Sequence, residues 1–383
     1  MKKSIFIKVA AIIFAMSATF LCSFAIVGAV ANNTTANESA EEKSDIITVV
    51  SPERSAVVEL DNDTIKRFSA SYAKGVSESY FGQGDVYRMN DVKLEWQADE
   101  QAEYYQVYLA SDKFFRNDVQ KFLTVRSQYA LKNLIPGKTY FWKVSVTYKN
   151  GEQKVSNVYS FSTTGTVRTI SLDGVSNSRD IGGLKGLNGK SIKYGMLYRS
   201  ANLDSITREG KRIFKMLGIK TELDLRGEVL SQSPAGADVN LIKISGAYTV
   251  GHNKSIEIAS HLDTAEYVGY FCDELRACAD ANNYPMLFHC AIGRDRTGTL
   301  AAYLQMLCGV SEEDIYKDFE LSFLSVAGSN DTWHGAYDPF NALMLYIKAQ
   351  PGETLADKAE QYAIKMGVTK SVVDSIRNIL LEG

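Results

Sequence analysis

A buried strand that runs into a polar loop and then into a helix is the feature that most constrains this chain. The apolar run PMLFHC ends at Cys290, and the residues that follow, AIGRDRTG, are small or charged. Beyond them Leu300, Leu304 and Leu307 recur on one helical face. Strand, loop and helix in this order predict one unit of an α/β sheet, which carries ligand sites at the carboxyl ends of its strands.

The loop, residues 290–297, contains the groups that bind an oxyanion, and we call it the signature loop. Its backbone amides at Ala291, Ile292 and Gly293 can surround an anion, while the dipole of the following helix adds positive potential. The same field stabilises a thiolate, so Cys290 is predicted to be a nucleophile. Arg296 is predicted to hold two oxygens of a phosphoryl group through its planar fork.

Two neighbours of these residues are assigned supporting roles. Thr297 is predicted to hydrogen-bond the sulfur and to stabilise it as a leaving group. His289 directly precedes the nucleophile, so it is predicted to tune the loop by hydrogen bonding and is a poor candidate for a base.

The signature loop resembles that of a known enzyme family. C-x5-R-T is the motif of cysteine-dependent phosphatases, and HCxxGxDRTG is similar to their atypical bacterial protein-tyrosine and lipid phosphatase branch. Further signatures of that family are resembled, in family order, by NSRDIGG (177–183), GMLYRSANL (195–203), ELDLRGE (222–228) and the final MGVTKSVVDSIRNILLEG. The resemblance implies an α/β cysteine-phosphatase domain over residues 166–383, with a central sheet flanked by helices.

The resemblance also implies a function. A phosphomonoester would be hydrolysed through a cysteinyl phosphate, with phosphotyrosine in a protein as the first substrate and a phosphoinositide or inositol phosphate as the alternative. A non-catalytic surface binding protein remains a further alternative. No cofactor is implied, and no metal site is predicted, because the histidines lack partners at metal-ligand spacing.

Three charged residues depend on this resemblance for their roles. The family keeps its general acid inside the signature loop, at the position of Asp295, and Asp224 at a strand end is the alternative acid. Relatives have lysine where this chain has Arg294, a position linked to phosphoinositide head groups. Arg294 is therefore assigned to substrate binding. Arg199 and Asp180 are predicted to form a structural ion pair near the site.

Short alternating runs dominate residues 46–165. VKLEW, YYQVYLA, KFLTVR, TYFWKVSVTY and VYSFST alternate apolar and polar residues and are separated by turn residues. They predict the strands of an all-β, immunoglobulin-like sandwich. LIPGKTYFWKVSV (134–146) resembles the tyrosine corner of fibronectin type III domains, which implies that Trp96 is a core residue. The domain could bind a protein, or a carbohydrate through its aromatic residues.

The first residues predict export. MKKSIFIK is basic, and residues 9–31 carry no charge and end in an A-x-A sequence. Residues 1–31 are therefore a signal peptide, or an uncleaved anchor, since a helix of this length spans the roughly 30 Å of a bilayer core. Residues 32–45 are a polar linker. The remainder is predicted to be secreted or to lie on the extracellular face of the membrane.

Composition excludes one class of partner. The 42 basic and 45 acidic residues give a net charge of −3, which provides no positive electrostatic field to attract nucleic acid.

Cys272, Cys278 and Cys308 are predicted to be core residues. The segment AGSNDTWHGAYDPF (327–340) interrupts helical periodicity and is predicted to be a loop, either a substrate lid or a surface excursion.

Overall fold

The computed structural model of the protein describes several stretches of the chain, which are residues 47–70, 72–227, 230–245, 265–329 and 332–383. The predicted signal or anchor (1–31) and the polar linker (32–45) lie outside the described residues. Within the described stretches, no helix is both long enough and apolar enough to cross a membrane.

The N-terminal half consists mainly of two β-sheets that share one core. In chain order its strands are β1 (Val49–Ser51), β2 (Ala56–Glu59), β3 (Val92–Trp96), β4 (Ala102–Ala110), β5 (Gln120–Thr124), β6 (Gln128–Leu131), β7 (Thr139–Tyr148), β8 (Gln153–Val155) and β9 (Tyr159–Thr164). One antiparallel sheet has the order β1-β3-β6, and the other has the order β2-β9-β7-β4-β5 with β8 on β7. The alternating runs of the sequence therefore form strands as predicted.

Alternation explains why these strands pack face to face. In β3, Val92, Leu94 and Trp96 are all buried, while the two residues between them are at least partly exposed. They belong to one apolar cluster with Val107 and Trp142 of the second sheet. Since side chains alternate between the two faces of a strand, each sheet places its apolar face against the other.

The C-terminal half is built on a mixed sheet with helices. Its strands are β10 (Arg168–Thr169), β11 (Arg179–Asp180), β12 (Leu197–Ser200), β13 (Thr221–Asp224), β14 (Asn240–Lys243) and β15 (Met286–His289). They pair in the order β10-β11-β12-β15-β13-β14, and the last four of that order run parallel. Strand β15 is internal, and its end at His289 lies beside Ser200 and Asp224.

The helices surround an apolar core. In chain order they are α1 (Asp63–Ala70), α2 (Arg208–Met216), α3 (Ala265–Cys278), α4 (Asp295–Leu307), α5 (Glu312–Glu320), α6 (Trp333–Lys348), α7 (Leu355–Lys365) and α8 (Lys370–Leu380). Helix α4 follows the signature loop and is buried along residues 297–307, so it forms the centre of this core. Ser311 caps α5 by accepting a hydrogen bond from the amide of Asp314.

One predicted loop is a helix instead. Residues 327–340 were expected to form a lid or a surface excursion, but α6 begins at Trp333. The hydroxyl of Thr332 caps the helix, and the rings of Trp333 and Tyr337 stack one turn apart with centroids separated by 4.3 Å. Glycine and proline in this segment interrupt the helical pattern of the sequence, so the sequence did not predict a helix here. In the fold, the N-terminal cap and the aromatic stack stabilise the start of the helix.

A segment of the N-terminal half crosses into the C-terminal core. We call residues 63–70 and 72–87, which lie between β2 and β3, the bridging segment. Its Ile65, Phe68 and Tyr87 are 0%, 1% and 4% exposed and belong to the same apolar cluster as Phe323 and Trp333. The described residues from 47 onward accordingly belong to one compact unit. The domain boundary predicted at residue 165 misses this crossover, because α1 is too short to signal its partner.

This shared core predicts an unequal effect of two phenylalanine truncations. Phe68→Ala should lower the free energy of unfolding by about 3–5 kcal/mol, because it leaves a cavity between the two halves. The matched control is Phe114→Ala, since Phe114 is 62% exposed on the sandwich. The control should change stability by less than about 0.5 kcal/mol. Urea denaturation measures both, and equal midpoints would contradict the shared core.

Candidate active site

The signature loop is held at the carboxyl end of the central strand. Strand β15 ends at His289 and α4 begins at Asp295, so residues 290–294 make the whole connection. Cys290 is 2% exposed at the start of this connection, five residues before the first residue of α4. The positive end of α4 favours a negative charge there.

Gly293 shows why the loop needs glycine. Its φ is +72°, in the left-handed region, and a Cβ atom would lie 2.3 Å from the carbonyl oxygen of Ser200. Any other residue would meet both backbone strain and a collision with β12. Glycine at this position therefore lets the loop pass directly over the end of the neighbouring strand.

Four consecutive carbonyl oxygens of the loop, those of residues 290–293, accept hydrogen bonds from side chains. The donors are Nδ1 of His289 to Cys290 (3.1 Å), Nδ2 of Asn202 to Ala291 (2.8 Å), Nδ2 of Asn177 to Ile292 (3.0 Å) and Nη2 of Arg199 to Gly293 (2.9 Å). A carbonyl and the next N–H share one planar trans peptide and point in opposite directions. The carbonyl anchors therefore turn the following amides toward the other side of the loop.

These amides are available to an incoming ligand. Within the described stretches, the N–H groups of residues 291–293 have no acceptor. Consecutive amides that converge in this way bind phosphate and similar anions, and a helix N-terminus strengthens the site. The anion site that the residue types predict therefore stays a prediction.

Two buried arginines support the loop from behind. Arg179 and Arg199 are 1% and 0% exposed and share the carboxylate of Asp318, at 2.7 Å and 2.6 Å. Burial would raise the pKa of Asp318, but the two guanidinium groups lower it to about 2. Burial, reinforced by the charge of Arg179, lowers the pKa of Arg199 to about 10, so Arg199 still carries its charge at neutral pH.

The predicted pair between Arg199 and Asp180 is wrong. Asp180 instead binds Arg168 at 2.7 Å and accepts hydrogen bonds from two glycine amides. The true partner, Asp318, lies in α5 and was missed. The sequence does contain a signal for Asp318. This charged residue lies at helical spacing from Ile315, on a helical face that is otherwise apolar.

Arg296 and Thr297 occupy the first turn of α4. Nη1 of Arg296 donates to the carbonyl oxygen of Leu225 at 2.8 Å, which ties this half-buried guanidinium to the end of β13. Thr297 is fully buried, and its hydroxyl has no hydrogen-bond partner among the residues that the structure describes. The hydrogen bond predicted between Thr297 and the sulfur is therefore not made in this structure.

Arg294 and Asp295 interact with each other. Nε and Nη2 of Arg294 donate to the two carboxylate oxygens of Asp295 at 2.7 Å and 3.3 Å, and Nη1 donates to Gly328 at 2.9 Å. Arg294 is 1% exposed, whereas the side chain of Asp295 is 20% exposed. The sequence assigned Arg294 to substrate contact, but the structure buries it and uses it to orient Asp295.

Asp224 is a poor candidate for an acid. It is fully buried, and Arg226 donates to both of its oxygens through Nε and Nη2, at 3.0 Å and 2.9 Å. Burial would raise the pKa of Asp224, but the hydrogen bonds from Arg226 and the nearby His289 outweigh it and lower this pKa. Asp224 therefore holds no proton at neutral pH to give to a leaving group.

His289 is placed as the sequence predicts. Its Nε2 lies 2.8 Å from Oε1 of Glu222, and its Nδ1 donates to Cys290, so both ring nitrogens bind within the protein. Glu222, Asp224 and His289 offer atoms within 4.8 Å of one another, a spacing that could admit a metal ion. Hydrogen bonds already occupy both ring nitrogens of His289 and both carboxylate oxygens of Asp224. These atoms are therefore not free to bind a metal ion.

Comparison with known proteins covers this half of the chain. A model of the tyrosine phosphatase family matches residues 170–382, which include the whole signature loop. A provisionally named tyrosine-protein phosphatase of Cupriavidus necator is 24% identical over 39% of this chain and 61% of its own. A tyrosine-protein phosphatase of Nostoc commune is 26% identical over 45% of this chain and 68% of its own. The chain therefore spans less than two thirds of the Cupriavidus relative.

The anion nest predicts the effect of a single added methyl group. Gly293→Ala should weaken inorganic phosphate binding by about 5- to 150-fold, since strain of about 1–3 kcal/mol at such a φ corresponds to that range. Gly269→Ala is the matched control, because a Cβ at Gly269 in α3 meets nothing within 4 Å. Calorimetric titration with phosphate measures both. Equal affinities would show that the loop is not the anion site.

Proposed function

The chain belongs to the tyrosine phosphatase family, and on this premise we propose that it is a cysteine-dependent phosphomonoester hydrolase that acts on phosphotyrosine in proteins. One observation carries the proposal: the carbonyl oxygens of residues 290–293 all accept side-chain hydrogen bonds, which turns the following amides to the other side of the loop, where an anion could bind. The names of both relatives support the same activity.

The first step transfers the phosphoryl group to sulfur. The Cys290 thiolate attacks phosphorus, an S–P bond forms, and the P–O bond to the leaving group breaks. The loop amides and Arg296 hold the equatorial oxygens, and this hold strengthens as charge spreads over them in the transition state. Because Leu225 fixes one N–H of Arg296, the guanidinium loses little rotational freedom on binding.

The leaving oxygen needs a proton in the same step. We assign this proton to Asp295, which is partly exposed beside the helix N-terminus and is oriented by Arg294. The lowered pKa of Asp224 argues against the alternative acid.

The second step releases phosphate. Water attacks phosphorus, the S–P bond breaks, and the electron pair returns to the Cys290 sulfur. Asp295, now a carboxylate, can take the proton of that water. Thr297 lies at the end of the signature loop, and its buried hydroxyl has no hydrogen-bond partner among the described residues, so it is assigned to stabilise the leaving sulfur.

Phosphotyrosine is preferred over a phosphoinositide because of Arg294. This position is the one that the resemblance links to phosphoinositide head groups. Here the guanidinium is buried against Asp295 and Gly328. A guanidinium that is already hydrogen-bonded inside the protein adds little to the binding of an inositol phosphate. Hydrolysis of inositol phosphates is therefore the second candidate function.

We also propose a fibronectin type III-like character for the sandwich. The hydroxyl of Tyr140 accepts a hydrogen bond from the amide of Ile135 at 2.8 Å, the contact of a tyrosine corner. Trp96 is 1% exposed in the core between the two sheets of the N-terminal half, which supports this proposal. The proposal includes export, with the sandwich as a protein-binding or carbohydrate-binding module, which rests on the sequence alone.

The nucleophile can be tested by one atom. Cys290→Ser should abolish hydrolysis of p-nitrophenyl phosphate, because serine lacks a thiolate, and should retain binding of inorganic phosphate or vanadate. Cys272→Ser, the same change at a buried cysteine of α3, should keep normal turnover. Steady-state assays and calorimetry give the two readouts. Full activity in Cys290→Ser would end the proposal.

The acid can be tested by the choice of leaving group. Asp295→Asn should slow phosphotyrosine hydrolysis by about 10²–10⁴, the usual value of general acid help, and slow p-nitrophenyl phosphate far less. The reason is that nitrophenolate leaves without a proton. Asp224→Asn serves as the comparison, and kcat is measured for both substrates. If only Asp224→Asn showed this dependence, the acid would be reassigned.

A further inference from the structure

Glu320, at the end of α5, binds a part of the chain far away in sequence. It is fully buried, and each carboxylate oxygen accepts two hydrogen bonds from the bridging segment. Oε1 accepts from the hydroxyl of Tyr72 (2.8 Å) and the amide of Gly75 (2.9 Å). Oε2 accepts from the amide and the hydroxyl of Ser77 (3.1 Å and 2.7 Å). Four donors therefore satisfy this buried charge.

The bridging segment also holds the turn that follows Glu320. We call residues 321–329 the support turn, and it consists largely of two short 3₁₀ helices. The amide of Val86 donates to the carbonyl of Leu324 at 3.0 Å, and Asp85 accepts from the amide of Val326 at 2.9 Å. Such short 3₁₀ pieces are weakly stable alone, so contacts of this kind determine their shape.

The opposite side of the same structure supports the signature loop. Asp318, two residues before Glu320, holds Arg179 and Arg199, and Arg199 holds the carbonyl of Gly293. In the support turn, Gly328 accepts a hydrogen bond from Arg294. The end of α5 and the support turn thus lie between the bridging segment and the signature loop.

We propose that Glu320 is a positioning residue for the phosphate site, and that it acts through the bridging segment. The inference rests on the proposed function. By fastening residues 72–77 to the end of α5, Glu320 holds Asp318 and the support turn at the distance from which their arginine partners fix the loop. The insertion between β2 and β3 is then a supporting part of the active site.

The experiment compares two identical substitutions in one helix. Glu320→Gln keeps the size of the side chain but places an amide N–H₂ against donors, so two of the four hydrogen bonds are lost. Glu313→Gln is the matched control, since Glu313 is exposed in α5 and pairs with Lys317 of the same helix. The readouts are kcat and KM for p-nitrophenyl phosphate, phosphate affinity by calorimetry, and the thermal midpoint.

Glu320→Gln should lower kcat/KM by about 10- to 100-fold at temperatures where it is fully folded, the range expected for a small displacement of a catalytic loop. Phosphate affinity should fall with it, while Glu313→Gln should match the wild type. A purely structural role would lower the thermal midpoint and leave the kinetics of the folded enzyme unchanged. That result would overturn the inference.

A second variant covers the case in which Glu320→Gln does not fold. Tyr72→Phe removes one hydroxyl from Oε1 of Glu320 and leaves the carboxylate in place. It should lower kcat/KM and phosphate affinity severalfold in the wild type, and have no effect when Glu320→Gln is already present. Unchanged values in Tyr72→Phe, or independent effects of the two substitutions, would contradict the proposed route.

The outcomes separate this inference from the proposed function. If both variants match the wild type while it hydrolyses the aryl phosphate, the positioning role is wrong and the phosphatase proposal stands. If the wild type binds phosphate without hydrolysis, the phosphatase proposal fails, and the phosphate affinities still decide the positioning role. A wild type that neither hydrolyses nor binds phosphate would overturn both.

Discussion

The structure of the site depends on where four carbonyl oxygens point. The carbonyl oxygens of residues 290–293 accept hydrogen bonds from side chains. Each of these bonds turns the amide of the next residue toward the opposite side of the loop. Without the anchors a short loop could rotate its peptides and lose the nest. The anchors are amide, imidazole and guanidinium groups, which act only as donors toward a carbonyl, so the peptide orientation has one satisfied arrangement.

Buried charge makes this arrangement rigid. Arg179 and Arg199 are almost fully buried, and the carboxylate of their shared partner Asp318 compensates their charge. Removal of one member would leave an uncompensated charge, so the three residues hold one another in place. The same reasoning applies to Glu320, whose four donors come from the bridging segment. Two carboxylates of α5 therefore connect the signature loop with a distant part of the chain.

The two halves of the protein are joined by more than a linker. A sandwich and an α/β domain could be separated at a short connection if each kept its own core. Here Phe68 and Tyr87 are inserted in the apolar cluster of the other half, next to the support turn. The candidate site and part of the N-terminal half therefore pack around the same core. The predicted domain boundary at residue 165 does not reveal this packing.

The sequence by itself determined what depends on neighbours along the chain. The alternating strands, the strand β15, the helix α4, Cys290 before that helix and Arg296 in its first turn all follow from local spacing, because backbone geometry relates nearby residues directly. Tertiary structure alone decided the partners. Asp180 and Asp318 were both available to Arg199, and Arg294 could have faced solvent or its neighbour Asp295. Packing selected among these carboxylates, since a buried guanidinium binds the acceptor that the fold brings within reach, whatever its distance in sequence.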